Sequence, residues 1–101
     1  MFDTASTMQS FQLSSRVSIT ADTLINVVGE ESVLLNLKNE QYYGLDEIGT
    51  RMWQVLTSGL TIQQAIEQLI GEYDVDAARL QSDLYSLIEK LSDHGLVELD
   101  A

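Results

Sequence analysis

Catalysis needs a nucleophile or a base together with a group that orients it, and we find no such combination in this sequence of 101 residues. It contains no cysteine and a single histidine, His94, so thiolate chemistry, cysteine-based metal sites and a three-histidine metal site are excluded. Apolar periodicity puts His94 in the last turn of a predicted helix, where the helix dipole favours a cation. We therefore interpret His94 as a structural residue and predict no catalytic residue.

Paired carboxylates are the second group that could do acid–base or metal chemistry. They occur at Glu30-Glu31, at Asp46-Glu47 and at Asp74 with Asp76. Each pair lies at a predicted turn or helix start, where acidic side chains cap helices. Asp74 and Asp76 lack the glycine and the terminal glutamate of a calcium loop, and no glycine-rich phosphate-binding motif is present. We therefore predict neither a metal nor a cofactor.

The charge balance restricts the class of partner. Sixteen acidic and five basic residues give a formal net charge of −11, which repels phosphate backbones and anionic lipids. No segment approaches the roughly 20 apolar residues that span a bilayer, and residues 1–10 lack the features of a signal peptide. The absence of cysteine is typical of a reducing compartment. We expect a cytoplasmic protein that binds neither nucleic acid nor membrane.

The elements that position these residues begin with a β-rich half. Residues 1–10 are rich in Ser and Thr and are predicted to be a disordered tail, and residues 11–101 are predicted to form one domain. Alternating apolar residues predict strands near 17–19 and 24–28, and a hairpin of 33–37 with 41–45. Val33, Leu35 and Leu37 share one face, and Asn39 is predicted to be left-handed in the connection. Which early segment pairs as the first strand stays open.

The second half of the chain has helical periodicity. Asp46 is predicted to cap a first helix that ends before Gly59, and Thr61 with Gln64 forms a capping box for a second. Asp76 is predicted to cap the third helix, and residues 96–99 form either a terminal strand or an extended tail. The sequence thus predicts an α+β fold of winged helix-turn-helix type, with an antiparallel sheet of about three strands followed by three helices.

A winged helix usually reads DNA, but this third helix carries more acidic than basic residues. A protein or peptide partner is therefore favoured. Residues 41–45 lie at a predicted sheet edge and contain two tyrosines but neither Pro nor Lys, so they could accept an extended peptide as an added strand. In the alternative interpretation, the helices cover this edge and Tyr42 or Tyr43 packs in the core.

Three stretches carry a resemblance to a known family: SVLLNLKNEQYYGLDEIGTRMWQVL, TIQQAIEQL and EYDVDAARLQSDLYSLIEKLSDHGLVE. Their order and spacing, within Arg16 to Glu98, resemble the PqqD family and its relatives, the recognition elements for RiPP precursor peptides. The Tyr-x-Gly-Leu strand followed by Trp53 resembles the stand-alone elements of lasso-peptide clusters more than those of the quinone cofactor pathway.

The resemblance implies a non-catalytic domain that binds the leader of a ribosomally synthesised precursor peptide. It also implies delivery of that leader to a leader peptidase or another modifying enzyme. In the family the leader adds as a strand to the third strand of the sheet and lies against the third helix. The peptide-binding residues implied here are Glu40, Gln41, Tyr42, Tyr43, Gly44, Leu45, Leu80, Asp83, Leu84 and Leu87. The alternative is a winged-helix interaction or regulatory subunit that binds a folded partner.

Overall fold

A computed structural model describes residues 12–100, so the predicted tail over residues 1–10 lies outside the described residues. Within this range the strands are β1 (Arg16–Ile19), β2 (Thr23–Val28), β3 (Glu31–Asn36), β4 (Gln41–Leu45) and β5 (Val97–Asp100). The helices are α1 (Glu47–Leu56), α2 (Ile62–Glu72) and α3 (Ala77–Asp93). The predicted α+β class, with a small antiparallel sheet before three helices, is confirmed.

The described strands form two antiparallel sheets. One has the order β2-β3-β4, and the other pairs β1 with β5. The segment that pairs first in the three-stranded sheet is therefore β2, a question that the sequence left open. The last residues form a strand rather than a tail, because Arg16 lies opposite Asp100 and Ile19 lies opposite Val97.

Each helix begins at the predicted capping residue. The carboxylate of Asp46 accepts a hydrogen bond from the backbone N–H of Gly49 at 2.7 Å. Thr61 and Gln64 form the predicted capping box, with distances of 3.1 and 3.0 Å. Asp76 accepts from the backbone N–H three residues further on, at 3.3 Å. These local bonds satisfy amide donors that have no partner inside the helix.

The turn between β3 and β4 differs from the prediction. It contains four residues rather than three, and the left-handed residue is Glu40, with φ of 59°, rather than Asn39. The backbone N–H of Glu40 donates to the carbonyl of Asn36 at 2.7 Å, which closes the turn. The Asn39 side chain instead accepts from the backbone N–H of Gln41 at 3.0 Å. The turn type, and not the tolerance of Asn, decides which residue is left-handed.

The two faces of the three-stranded sheet have different environments. Ser32, Leu34 and Asn36 are buried under the helices, and we call their side of the sheet the inner face. Val33 and Leu35 lie together as predicted, but on the opposite, outer face, where Val33 is 38% exposed. Residues 33–35 are all apolar, so periodicity alone does not show which side is buried.

The core lies between the inner face and the helices. The sheet contributes Leu34 and Leu45, and a buried hydroxyl pair, Ser32 with Thr50 at 2.8 Å, joins β3 to α1. The hydrophobic residues that are at most 1% exposed are Leu34, Leu56, Ile62, Ala65, Leu69, Leu84, Ile88, Leu91 and Leu96. This core holds the helices on the inner side of the sheet, and no element within residues 12–100 covers the outer face.

Candidate functional site

Strand β4 is an open edge of the three-stranded sheet. Among the described strands it pairs only with β3. Its inner-face residues are held by the fold, because Leu45 is buried and Tyr43 is half-buried against the core. Its outer-face residues are exposed, and Tyr42 is 71% exposed. The core thus supports β4 from the inner face, while the outer face of the strand is accessible.

The direction of the backbone groups in β3 follows from one bond. The backbone N–H of Leu37 donates to the carbonyl of Asp22 at 2.8 Å, on the side of β2. Residues two apart in a strand direct their backbone groups to the same side. Odd-numbered residues of β3 therefore bond to β2 and even-numbered residues bond to β4. The carbonyl of Asn36 agrees, since it accepts from Glu40 on the β4 side.

The phase of the edge strand follows from that alternation. Leu34 lies opposite Tyr43 in a hydrogen-bonded pair, whereas Val33 lies opposite Gly44 in a pair that is not hydrogen-bonded. Tyr42 and Gly44 therefore direct their N–H and C=O groups to the open edge. A peptide added to β4 would bond to the backbone of these two residues. The sequence alone could not provide this phase, because a shift of one residue in the turn reverses it.

One end of β4 lies beside the end of α3. The ring of Tyr43 lies 5.1 Å from the ring of His94, at an interplanar angle of 54°. His94 is the C-cap residue of α3, and its Nδ1 lies 2.7 Å from the carbonyl of Lys90. His94 was interpreted only as a helix-end residue, but the structure also places it against the edge strand. Because His94 and Tyr43 are far apart in the sequence, no local sequence pattern indicates this contact.

The other end of β4 leads into α1, and an apolar cavity of about 250 Å³ lies between the starts of α1 and α3. Its lining residues are Ile48, Met52, Tyr73, Val75, Arg79, Leu80 and Asp83. The end of α3 thus lies against β4 at Tyr43 and His94, and the start of α3 lies against the start of α1 at this cavity. Of the lining residues, only Leu80 and Asp83 were predicted as site residues. Ile48 and Val75, which are large apolar residues exposed near helix starts, are the signal that was missed.

The helix residues implied by the family lie at different depths. Asp83 has a side chain that is 60% exposed, and its Oδ2 is 4.0 Å from Nε of Arg79. Leu87 is half-buried, and Leu80 is buried but lines the cavity. Leu84 is fully buried in the core. Asp83 and Leu87 therefore have exposed surface that a peptide could contact directly, whereas Leu84 has none and packs in the core.

A second cavity, of about 350 Å³, lies beside β2 and has a charged lining. It includes Val27, Glu30, Glu47, Arg51 and Glu72. The neighbouring Glu30 carboxylate raises the pKa of Glu47, by like-charge repulsion and by a shared hydrogen bond. Arg51 donates to both carboxylate oxygens of Glu72, at 2.8 and 2.6 Å, and this lowers the pKa of Glu72. This cavity therefore suits ions and water better than apolar side chains.

The acidic residues weighed as metal ligands do not converge. Among residues 12–100 no group of three or more His, Cys, Asp or Glu side chains is arranged to hold a metal ion. Asp76 instead uses its carboxylate to cap α3. In the same part of the chain, no helix has the length and apolar character needed to cross a membrane.

These features define a small α+β domain with an open sheet edge beside a helix. The chain belongs to the PqqD family, described as "Coenzyme PQQ synthesis protein D (PqqD)", which matches residues 31–97. The predicted resemblance is confirmed. A search of curated proteins finds no match.

Two solved structures are similar to the chain. One is described as "TbiB1 in Complex with the TbiA(beta) Leader Peptide", with a TM-score of 0.76 and 30% identity over 80% of this chain and 94% of that chain. The other is described as "Lasso peptide synthetase B1 complexed with the leader peptide", with a TM-score of 0.75 and 19% identity over 82% of this chain and 98% of that chain. The second likeness concerns the fold alone.

Proposed function

We propose that this chain binds the leader of a ribosomally synthesised precursor peptide as a strand added to β4. The observation that carries the proposal is the open edge, where Tyr42 and Gly44 direct unpaired backbone groups outward beside α3. The similar structure at 30% identity, which is described as a complex with a leader peptide, supports it. Main-chain bonds would provide affinity, and the flanking surfaces would provide selectivity.

The geometry gives the added strand two kinds of contact. Peptide residues opposite Tyr42 and Gly44 would place their side chains on the outer face, because directly paired residues share a face. The residue opposite Tyr43 would point to the inner side, towards α3. From there the peptide would continue towards the apolar cavity that Ile48 and Leu80 line. Alternate residues would thus be read by different surfaces of the domain.

Charge would add a preference for basic leaders. The chain carries a formal net charge of −11, and Asp83 is exposed on the helix beside the edge. Its ion-pair partner within residues 12–100, Arg79, is at 4.0 Å and is itself 81% exposed, so the pair is weak. A basic leader would be attracted over long range and would associate faster at low salt.

The bound leader would then be delivered to a leader peptidase or another modifying enzyme of RiPP biosynthesis, and the resemblance of the Tyr-x-Gly-Leu strand followed by Trp53 favours the lasso-peptide class. The chain itself would not catalyse a step. Since the precursor is made on ribosomes, we expect this transfer in the cytoplasm.

The direct test is a titration of a labelled leader and, separately, of the core segment of the same precursor. We expect a Kd for the leader of about 1 μM or tighter, which corresponds to about −8 kcal/mol, and much weaker binding of the core. Equal affinity for the two segments would contradict leader recognition.

The absence of catalysis has its own test at the single histidine. Nδ1 of His94 lies against the Lys90 carbonyl, and the ring packs on Tyr43, so these contacts give the side chain a structural role. We expect His94→Ala to leave precursor processing by the reconstituted enzymes within a few fold of wild type. A loss of several orders of magnitude would mean that the chain supplies a catalytic group.

A second candidate function, binding of a folded protein, is favoured by the exposed apolar side chains of β2. Leu24 is 54% exposed and Val28 is 65% exposed, both on the outer face. With Val33, which lies opposite Asn26 on the same face and is 38% exposed, they form apolar surface of the kind that often marks a protein interface. The test is Leu24→Lys, assayed against both the leader and the processing enzyme. Loss of enzyme binding with unchanged leader affinity would add this function to the first, whereas enzyme binding without any leader binding would replace it.

A further inference from the structure

Gly44 lies inside an edge strand, and nothing among residues 12–100 requires a glycine there. Glycine weakens a strand because it has no side chain to pack and loses more backbone entropy on folding. Gly44 does not have the positive φ that Gly29, Gly59 and Gly95 have, so its backbone does not demand glycine. A Cβ added at Gly44 would meet nothing within 4 Å. Neither conformation nor internal packing therefore explains this residue.

The missing side chain leaves open space on the outer face. Gly44 lies opposite Val33, which is partly exposed, and both residues line a shallow depression of about 320 Å³. Tyr42 lies on the same face two residues earlier, with most of its ring exposed. Glu31 and Asp46 also line the depression or its rim. The depression thus has a glycine floor, an apolar wall and an acidic end.

We propose that Gly44 is the floor of a subsite for an aromatic side chain of the bound peptide. The inference rests on strand addition to β4, the function proposed above. Because Gly44 directs its backbone groups to the open edge, the opposite peptide residue would form a hydrogen-bonded pair with it, with the two Cα atoms about 5.5 Å apart. The side chain of that residue would project onto the outer face, directly beside the uncovered glycine.

An aromatic side chain fits this position better than an aliphatic one. An aromatic ring can lie flat across a glycine of the neighbouring strand and cover its exposed backbone. The ring would then reach Val33 beyond the glycine, as an aromatic residue does with a β-branched neighbour. Tyr42 is the diagonal neighbour, at the distance of about 7–8 Å that aromatic side chains span. A Val or Ala in the peptide would leave the depression largely empty.

The acidic end of the depression restricts the next residue of the peptide on that face. Glu31 and Asp46 are both exposed, and no basic side chain lines the depression. A carboxylate of the peptide placed there would be repelled. The subsite therefore takes Phe, Tyr or Trp, and in an antiparallel peptide the residue two positions before this aromatic is neutral or basic, because it lies opposite Asp46.

The test uses Gly44→Val, which should move stability and binding in opposite directions. Valine has a high strand propensity and meets no neighbour at its Cβ, so we expect a higher Tm than wild type. The same valine fills the floor of the subsite, so we expect the Kd for the cognate precursor leader to rise by about tenfold or more. Gly71→Ala is the matched control. Gly71 lies on an exposed part of α2 with nothing within 4 Å of its Cβ, so that variant should gain stability and bind the leader within about twofold of wild type.

A double-mutant cycle locates the peptide residue. Each aromatic residue of the leader is replaced by alanine, and each peptide is titrated against wild type, Gly44→Ala and Gly44→Val. One aromatic should lose about tenfold against wild type and little further against Gly44→Val. The subsite is refuted if Gly44→Val binds within twofold of wild type, or if every aromatic loses the same factor against all three proteins. A wild-type chain that binds no leader refutes the proposed function itself, and the subsite with it.

Discussion

Strands β2 and β4 are the two edges of one sheet, and they offer the same backbone chemistry to solvent. Both are rich in apolar residues and contain neither Pro nor Lys. The even-numbered residues of β2 bond to β3, so Ile25 and Val27 direct their backbone groups outward, as Tyr42 and Gly44 do on β4. An unpaired row of amides and carbonyls on each side could accept a further strand.

The difference between the two edges lies in what stands beside them. On the side of β4 stands α3, which begins at the apolar cavity and ends at His94. We call this helix, with the cavity, the wall. Beside β2, the cavity is lined by Glu30, Glu47 and Arg51. Every residue of β2 after Thr23 is exposed, on both faces. An open edge provides bonds to any extended chain, but selection of one sequence needs neighbouring side chains and pockets. In the described part of the chain, the apolar cavity and α3 provide these beside β4, whereas the cavity beside β2 is charged.

The largest effect is expected from Tyr43→Pro. The N–H of Tyr43 points to β3, and its ring packs on His94, so proline would remove a bond of the sheet and a partly buried side chain. We expect a loss of about 3 kcal/mol or more in the free energy of unfolding, measured by thermal melting. A variant as stable as wild type would mean that the assigned phase of β4 is reversed.

Tyr42→Pro separates folding from binding. Its N–H points outward, so we expect a cooperative melt close to wild type and a loss of leader affinity of about tenfold, or about 1.4 kcal/mol. Val27→Pro is the counterpart on the other edge, with an outward N–H and an exposed side chain. It should fold and bind the leader normally. If instead Val27→Pro loses the leader and Tyr42→Pro keeps it, the peptide uses β2.

Asp83→Lys tests whether the negative charge of Asp83 on α3 attracts a basic leader. It should weaken a basic leader by a few fold at low salt, weaken a neutral leader less, and lose its effect at high salt. Glu67→Lys on α2 makes the same change in net charge at an exposed residue of the second helix. Equal losses for the two variants would show that only the overall charge of the chain matters. Equal losses of affinity for basic and neutral leaders would mean that Asp83 stabilises the domain through its own contacts and does not attract the charge of the leader.

The smallest effect is expected beside β2, from Glu30→Gln. Glu30 raises the pKa of Glu47, so the folded state holds a proton at Glu47 more tightly than the unfolded state does. This difference stabilises the fold at low pH, and the stabilisation is lost as the pH rises through the raised pKa. At pH 7 both groups repel, and the glutamine should raise Tm by about 1–2 °C. Below pH 4 the gain should vanish. Leader affinity should stay unchanged at both pH values, because the pair lies on the β2 side.

Local signals made much of the fold predictable. Asp46, Thr61 and Asp76 cap helices through bonds to residues three positions away, and such short-range bonds can be read from the sequence. The open edge at β4 was also predictable, since a hairpin followed by helices leaves its last strand unpaired. The pairing of β1 with β5 joins residues at opposite ends of the chain, and no local pattern encodes it.

The finer parts of the site depend on geometry that sequence patterns do not contain. The phase of β4 required one bond between Leu37 and Asp22, and the wall required the contact of Tyr43 with His94. Leu84 and Asp83 are adjacent in sequence, yet one is fully buried and the other is exposed. A helical repeat of 3.6 residues predicts such a difference only when the direction of the core is known.

The pairing of β1 with β5 places Arg16 directly opposite Asp100. The first and last strands of the described fold therefore lie side by side, since paired Cα atoms lie about 5 Å apart. A unit with such adjacent ends can be inserted into a loop of a larger protein with little distortion of the host. An insertion joined at Arg16 and Asp100 would keep both edges of the three-stranded sheet intact, because neither β2 nor β4 takes part in this pairing.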